Sequence, residues 1–281
     1  FNSLNDFPNP PFNPFGVAFI TILFLSQNSF STVNKILLPI NINYKNPKIM
    51  SIKNKEKNSI VENSKDETLI REMNSKELEY WRNEFLEHGV IVLKDFLLPL
   101  AFENIKKETN RMLDFAKRKD LQIESNGISE RKMSTVGGNL IKSNSELLKG
   151  VYLNKELLNI LAKITGERLY PVKDLNEDIV INCLHKKSDI HGRHIDTYSF
   201  AFNIMISSPP LNSGGELVIY SSGDKKLYTI ESGSCYLIRT DKYEHEVLQL
   251  TQDTQRLVVN MSYANEGTLD LFSYSSSILY S

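Results

Sequence analysis

The part of the sequence that most restricts the fold begins after Pro171. There the chain breaks into short β-branched and aromatic runs: DIVINCL (178–184), SFAFNIMIS (199–207), GELVIY (215–220), KLYTI (226–230), SCYLIRT (234–240) and RLVVNMSY (256–263). SPPLNSGG, SSGD and ESGS stand between them, and these are residues that turn a chain. Short strands at this spacing, punctuated by Gly, Pro and Ser, predict a β-sandwich or barrel. The half ahead of Pro171 reads as helix-rich. SKELEYWRNEFLEHG predicts a helix with Ser75 as N-cap, Leu78, Trp81 and Phe85 on one face, and Gly89 as the stop. A strand, VIVLKDFL, follows it. Helical spacing returns over 100–118 through Phe102, Ile105, Met112 and Phe115, and again over 153–164. The expected fold is α+β: a double-stranded β-helix (jelly-roll) core with packed N-terminal helices.

The chain has 281 residues, 41% of them hydrophobic and 24% charged, which is enough to bury a sizeable core. A net charge of -1 gives no reason to expect nucleic acid or an anionic membrane as a partner, since both need clustered basic charge. The two cysteines, Cys183 and Cys235, sit inside apolar runs and are expected to be buried free thiols.

Residues 1–49 differ in texture, with one acidic residue, Asp6, and three lysines, Lys35, Lys45 and Lys48. GVAFITILFL (16–25) is shorter than a bilayer span and has no basic segment before it, which argues against a signal peptide. An organellar leader fits the scarcity of acidic residues but not the absence of arginine. The segment is read as a disordered leader or non-native extension, upstream of a start at Met50. Residues 50–75 are polar and without apolar period and read as a linker, which leaves 76–281 as the folded domain. A cytoplasmic location is expected, with organellar targeting by 1–49 as the alternative.

The chain has five histidines, and HGRHID (191–196) holds two of them beside an aspartate. His194 and Asp196 are two apart at the start of a strand-like run, so they can share one face and meet one ion. His245, at the end of SCYLIRTDKYEH, can come from another strand as a third ligand. Two histidines and one carboxylate leave open positions on an octahedral ferrous ion, the donor set of non-haem iron oxygenases. Arg256, eleven residues further on, is suited to grip a dicarboxylate such as 2-oxoglutarate by paired charge-assisted hydrogen bonds.

From about 178 to 264 the chain resembles the iron(II)/2-oxoglutarate-dependent oxygenases. Within them it is most similar to the group of free-amino-acid radical halogenases and their hydroxylase relatives. HGRHIDTYSFAFNIMISSPPLNSGGELVIY, LIRTDKYEHEV and DTQRLVVNMSYA carry the resemblance. It implies that His194, Asp196 and His245 hold Fe(II) as the catalytic centre and that Arg256 holds 2-oxoglutarate. O2 would be the second cosubstrate, with ascorbate as reductant in vitro. It also implies that His191, Asn260 and Ser262 contact the substrate, with Arg131 and Glu177 pairing the carboxylate and ammonium of an amino acid. Halogenating members have glycine where this chain has Asp196, so hydroxylation of an unactivated C–H in a small polar substrate is expected. Thr197 stands where lysine-chlorinating relatives have an acidic residue, which argues against a basic amino acid.

Alternatives start from the same hydrogen abstraction: desaturation, or oxidative cyclisation as in the algal kainoid synthases. A hydroxylase of protein residues would need an open groove. The alternative of another class is a non-catalytic, cupin-like metal or small-molecule binder. His185 is read as a strand histidine beside the pocket, His88 as a helix-end histidine, Arg193 as facing away, and Arg239 as a supporting or surface residue.

Overall fold

The computed structural model describes residues 68–281 apart from 125–127 and 222. The readings of 1–49 as a leader and of 50–67 as linker lie outside the described residues. Helix α1 (Ser75–His88) starts one residue earlier than expected. Asn74 caps it, its Oδ1 accepting the Glu77 N–H at 2.9 Å, and α1 ends at Gly89, whose N–H donates to the Phe85 carbonyl. Ahead of it Leu69 and Ile70 are buried, Ile70 bridges Leu97, and Arg71 pairs with Glu77. Packed structure therefore takes in residues read as linker; two apolar positions among charged ones are too few to show a period.

Strand β1 (Val90–Leu93) and helix α2 (Pro99–Met112) follow, and α2 runs into a 3-10 turn over Leu113–Phe115. Here the structure departs from the reading of 100–118 as one helix. The chain turns instead into a hairpin, β2 (Lys117–Glu124) and β3 (Ile128–Val136). The charges of β2, KRKDLQIE, conceal its period because only Ile123 is buried. Helices α3 (Gly138–Asn144), α4 (Glu146–Tyr152) and α5 (Lys155–Thr165) complete the front half. The remaining strands are β4 (Tyr170–Pro171), β5 (Ile179–Leu184), β6 (Ile190–His194), β7 (Phe200–Ser207), β8 (Leu217–Ser221), β9 (Asp224–Tyr228), β10 (Cys235–Arg239), β11 (His245–Val247) and β12 (Arg256–Ala264). A short helix, α6 (Ser276–Tyr280), comes last.

The pairings are antiparallel, in the order β1-β10-β7-β12-β5-β3-β6-β11-β8-β9, with β2 on β3 and β4 on β12. The sheet curls as a jelly roll, as the strand spacing led us to expect. Alternation along each strand divides its residues between two environments. On β12, Leu257, Val259, Met261 and Tyr263 enter the core shared with the helices, where Trp81, Phe85, Ile105 and Leu161 meet them. Arg256, Val258, Asn260 and Ser262 point the other way, into a cavity. Strands β7 and β10 repeat the pattern, with Phe200, Phe202, Cys235 and Leu237 outward and Ala201, Asn203, Tyr236 and Ile238 inward. Each fully buried Leu, Ile or Phe on the helix side stabilises the fold by about 1.5–3 kcal/mol, so one face of the sheet is anchored while the other carries polar groups. Both cysteines are buried free thiols, as expected.

Candidate metal centre and its cavity

Strand β11 lies antiparallel to β6 with His245 directly opposite His194. This register brings the distant histidine to HGRH. The strand ends at His194 rather than beginning there, and Asp196 lies in the connection beyond, its N–H donating to the Thr240 carbonyl at 3.0 Å. The side chains of residues 194 and 196 nevertheless meet on one side. The Asp196 carboxylate lies between the two rings, Oδ1 at 3.3 Å from His194 Nε2 and Oδ2 at 3.6 Å from His245 Nε2. One ligand atom from each of the three residues lies within 4.8 Å of the others, and this group could hold a metal ion.

The surroundings of the group suit that use. His194 Nδ1 donates to the Gly192 carbonyl at 2.8 Å and His245 Nδ1 to the Tyr243 carbonyl at 3.1 Å. A carbonyl can only accept, so each ring keeps its proton on Nδ1 and turns a bare Nε2 inward. Burial opposes ionisation of Asp196, but His245 and His194 outweigh it and hold the carboxyl at about 2. Burial, with His194 alongside, pushes His245 down to about 4. At neutral pH His245 is therefore a neutral imidazole and Asp196 a carboxylate, the protonation states that a metal requires of them. Gly192 is required by close approach: a Cβ there would stand 2.8 Å from the Glu130 backbone N and 2.9 Å from its O, forcing β6 away from β3.

The trio forms part of the wall of a cavity of about 130 Å³. Arg256 lies on the same wall, 3% exposed, its Nε donating to the Gly215 carbonyl and its Nη2 to the Tyr236 hydroxyl at 3.2 Å. Arg131 and Glu177 also line it. Arg131 is fixed through Nη1 to Ser129 and to the Gly192 carbonyl, while its Nε has no partner among the described residues. Glu177 Oε2 and Asn182 Oδ1 are likewise buried without partners among the described residues. Burying such groups without partners costs about 1–3 kcal/mol each, a cost that a polar ligand or water in the cavity would offset. Burial, with Asp196 nearby, raises the Glu177 carboxyl to about 8.

All nine site residues named from the sequence line this one cavity. His191 stacks on His194, ring centroids 4.6 Å apart, and burial with Arg131 and His194 nearby lowers its pKa. Asn260 and Ser262 share a wall with Asn203, whose Oδ1 accepts from Asn260 Nδ2 at 3.0 Å. The reading of His185 needs correction. It lies one residue beyond β5, 3.8 Å from Asp189, and is not part of the cavity wall, because the strand ends before the side chain could turn inward. His88 is the last residue of α1. Arg193 faces away, paired with Glu244 and stacked 3.7 Å over Tyr220. Arg239 is buried between Glu167 and Asp241. Sequence reasoning missed Asn182, Asn203, Tyr236, Ser273, Tyr274 and Tyr280 in the lining. Asn182 and Asn203 had left a signal, a lone amide inside an otherwise apolar strand.

The sequence matches the family model described as Halogenase D over residues 73–226 and 219–275, most of the chain. The chain belongs to the Halogenase D family. With it, the chain takes its place among the iron(II)/2-oxoglutarate oxygenases. The structure is similar to that of the non-heme α-ketoglutarate-dependent epimerase SnoN from nogalamycin biosynthesis, at 13% identity and TM-score 0.54, covering 68% of this chain and 82% of that one. A prolyl hydroxylase from Trichoplax adhaerens, solved with a hypoxia-inducible-factor peptide, is 15% identical with TM-score 0.52, covering 70% and 96%. An oxidoreductase of the 2OG-Fe(II) oxygenase family from Burkholderia pseudomallei is 16% identical with TM-score 0.51, covering 70% and 94%. These likenesses give this member of the Halogenase D family the fold of those enzymes. No match was found among curated proteins. No helix of the described residues is long and apolar enough to cross a membrane.

Proposed function

We propose that this protein is an iron(II)- and 2-oxoglutarate-dependent oxygenase that hydroxylates an unactivated C–H of a free amino acid or a derivative of one. The observation that carries the reading is the Asp196 carboxylate lying between His194 and His245. Halogenating relatives have glycine at that position, so in this chain the place that halogenation leaves open is filled by a carboxylate.

His194 Nε2, His245 Nε2 and one Asp196 oxygen would hold iron, and Arg256 would receive the far carboxylate of 2-oxoglutarate. With O2, iron and 2-oxoglutarate supply an oxidant able to take a hydrogen atom from an unactivated C–H. The protein's own part is positioning. The guanidinium of Arg131 is held at Nη1 and offers Nε to a substrate carboxylate. Glu177, neutral at pH 7 because burial raises its carboxyl to about 8, gives up its proton when an ammonium group binds beside it. His191, Asn260 and Ser262 hold the remaining polar edge. Ile238, Val258 and Leu217 supply the apolar part of the lining that keeps water from the reacting C–H.

The test is incubation of purified protein with iron, ascorbate, 2-oxoglutarate and a library of free amino acids, followed by mass analysis. One added oxygen on an amino acid is the expected result. Loss of two hydrogens would replace hydroxylation with desaturation or cyclisation. Products from none of the amino acids, with 2-oxoglutarate still consumed, would overturn the substrate class.

A further inference from the structure

Part of the cavity wall comes from the C-terminal segment 273–280, and nothing in the iron and 2-oxoglutarate chemistry requires it. Ser273, Tyr274, Ser275, Leu279 and Tyr280 all face the cavity. Leu279 and Tyr280 are 3% and 7% exposed and pack on Ile123 and Met133 of the β2–β3 hairpin. The segment is held by its backbone. Thr135 Oγ1 donates to the Leu279 carbonyl at 2.8 Å, Lys119 Nζ to that of Ile278 at 2.8 Å, and Lys117 Nζ to that of Ser281 at 3.1 Å. Gly137 admits it: a Cβ there would stand 1.9 Å from the Tyr280 carbonyl oxygen. A backbone atom cannot swing aside, so any side chain at 137 must push the segment off the hairpin. The ring of Tyr280 is buried and its hydroxyl lies beside the side chain of Asn182. Burial, with Glu177 close by, keeps that hydroxyl protonated and available as a donor.

We propose that residues 273–281 are the selecting wall of the site, and that Tyr280 limits the size of the molecule admitted beside Arg131 and Glu177. This rests on the reading that the cavity receives the substrate. The wall is held on the hairpin through main-chain carbonyls, which tolerate any side chain, while Tyr280 and Leu279 give it shape. Substrate choice is thus separated from the metal-holding strands. A change at 280 alters what enters without touching His194, Asp196, His245 or Arg256.

The experiment compares Tyr280→Ala, Tyr280→Phe and Gly137→Ala with the unmodified protein, using diethyl pyrocarbonate on the metal-free chain and reading each histidine by peptide mass. His191 reports the cavity, while His88 and His185, which lie outside it, report the rest of the fold. The expected result is modification of His191 several-fold faster in Tyr280→Ala and in Gly137→Ala, no change in Tyr280→Phe, and constant rates at His88 and His185. Gly137→Ala keeps the test decisive should Tyr280→Ala fold poorly, which faster modification of His88 and His185 would reveal. An unchanged His191 rate in a folded Tyr280→Ala or Gly137→Ala protein overturns the proposal. The same variants are then given L-amino acids of rising side-chain length with iron and 2-oxoglutarate. A wall that opens to the reagent while no variant turns over any amino acid leaves the wall standing and removes the amino-acid reading. An accepted set that is identical in Tyr280→Ala and the unmodified protein removes the size limit assigned to Tyr280.

Discussion

Glu177→Gln separates a carboxyl placed for a ligand from one placed for stability. The Glu177 carboxyl ionises at about 8 in the folded chain, against an ordinary value of 4.5, with burial the largest cause and the charge of Asp196 next. A folded-state pKa above the unfolded one means that the folded chain holds this proton while the unfolded chain has lost it. The stabilising contribution is complete below about pH 4.5 and is lost as pH rises through about 8. At 1.36 kcal/mol per pH unit the ceiling is ~5 kcal/mol. Water entering the cavity and the nearby Arg131 reduce the part that can be observed to ~1–2 kcal/mol. Glutamine keeps the size and hydrogen-bonding capacity but cannot ionise. The metal-free Glu177→Gln protein should therefore gain stability relative to the unmodified chain as pH rises from 5 to 8.5. The measurement is urea unfolding at both pH values, with the midpoint difference converted by a common slope. A difference independent of pH would refute the assignment of a buried, near-neutral carboxyl.

Three further outcomes follow from the packing and the site. Tyr263→Phe removes the hydroxyl that donates to the buried Tyr152 carbonyl at 2.9 Å and should cost ~1 kcal/mol, read as a lower thermal midpoint. Arg118→Ala strips the paired bonds from Asp189, which is 1% exposed on its side chain, and leaves it only the backbone N–H groups of His185 and Lys186. The expected loss is ~2–4 kcal/mol in urea unfolding at pH 7, shrinking in acid as Asp189 protonates. Asp196→Gly should weaken iron binding by at least ~10-fold in a direct titration, since even an outer partner of a metal ligand is worth 10–100-fold.

Much of the site was legible because strand periodicity is simple. Residues 194 and 196 share a side, β12 alternates between core and cavity, and an isolated arginine at its start faces inward. The register that sets His245 opposite His194 was not legible as such; it appeared only as the need for a third ligand from a distant strand. Arg131 could be named but not placed, because its strand was hidden between charged neighbours. Lys132, Glu130 and the polar β2 present no apolar alternation, and the burial of Ser129, Arg131, Met133 and Thr135 emerges only once β3 sits between β5 and β6. Residues 273–281 escaped notice for a different reason. Their anchoring runs through backbone carbonyls and through a glycine 143 positions before Tyr280, and neither leaves a mark in local sequence.

The central claim is that His194, Asp196 and His245 hold iron for a reaction that consumes 2-oxoglutarate gripped by Arg256. Succinate released from 2-oxoglutarate, with and without added ferrous iron, tests it most directly. The account predicts release that depends on iron and is lost in His194→Ala and in Arg256→Ala, while both variants stay folded. Release without iron, or undiminished in His194→Ala, would contradict it.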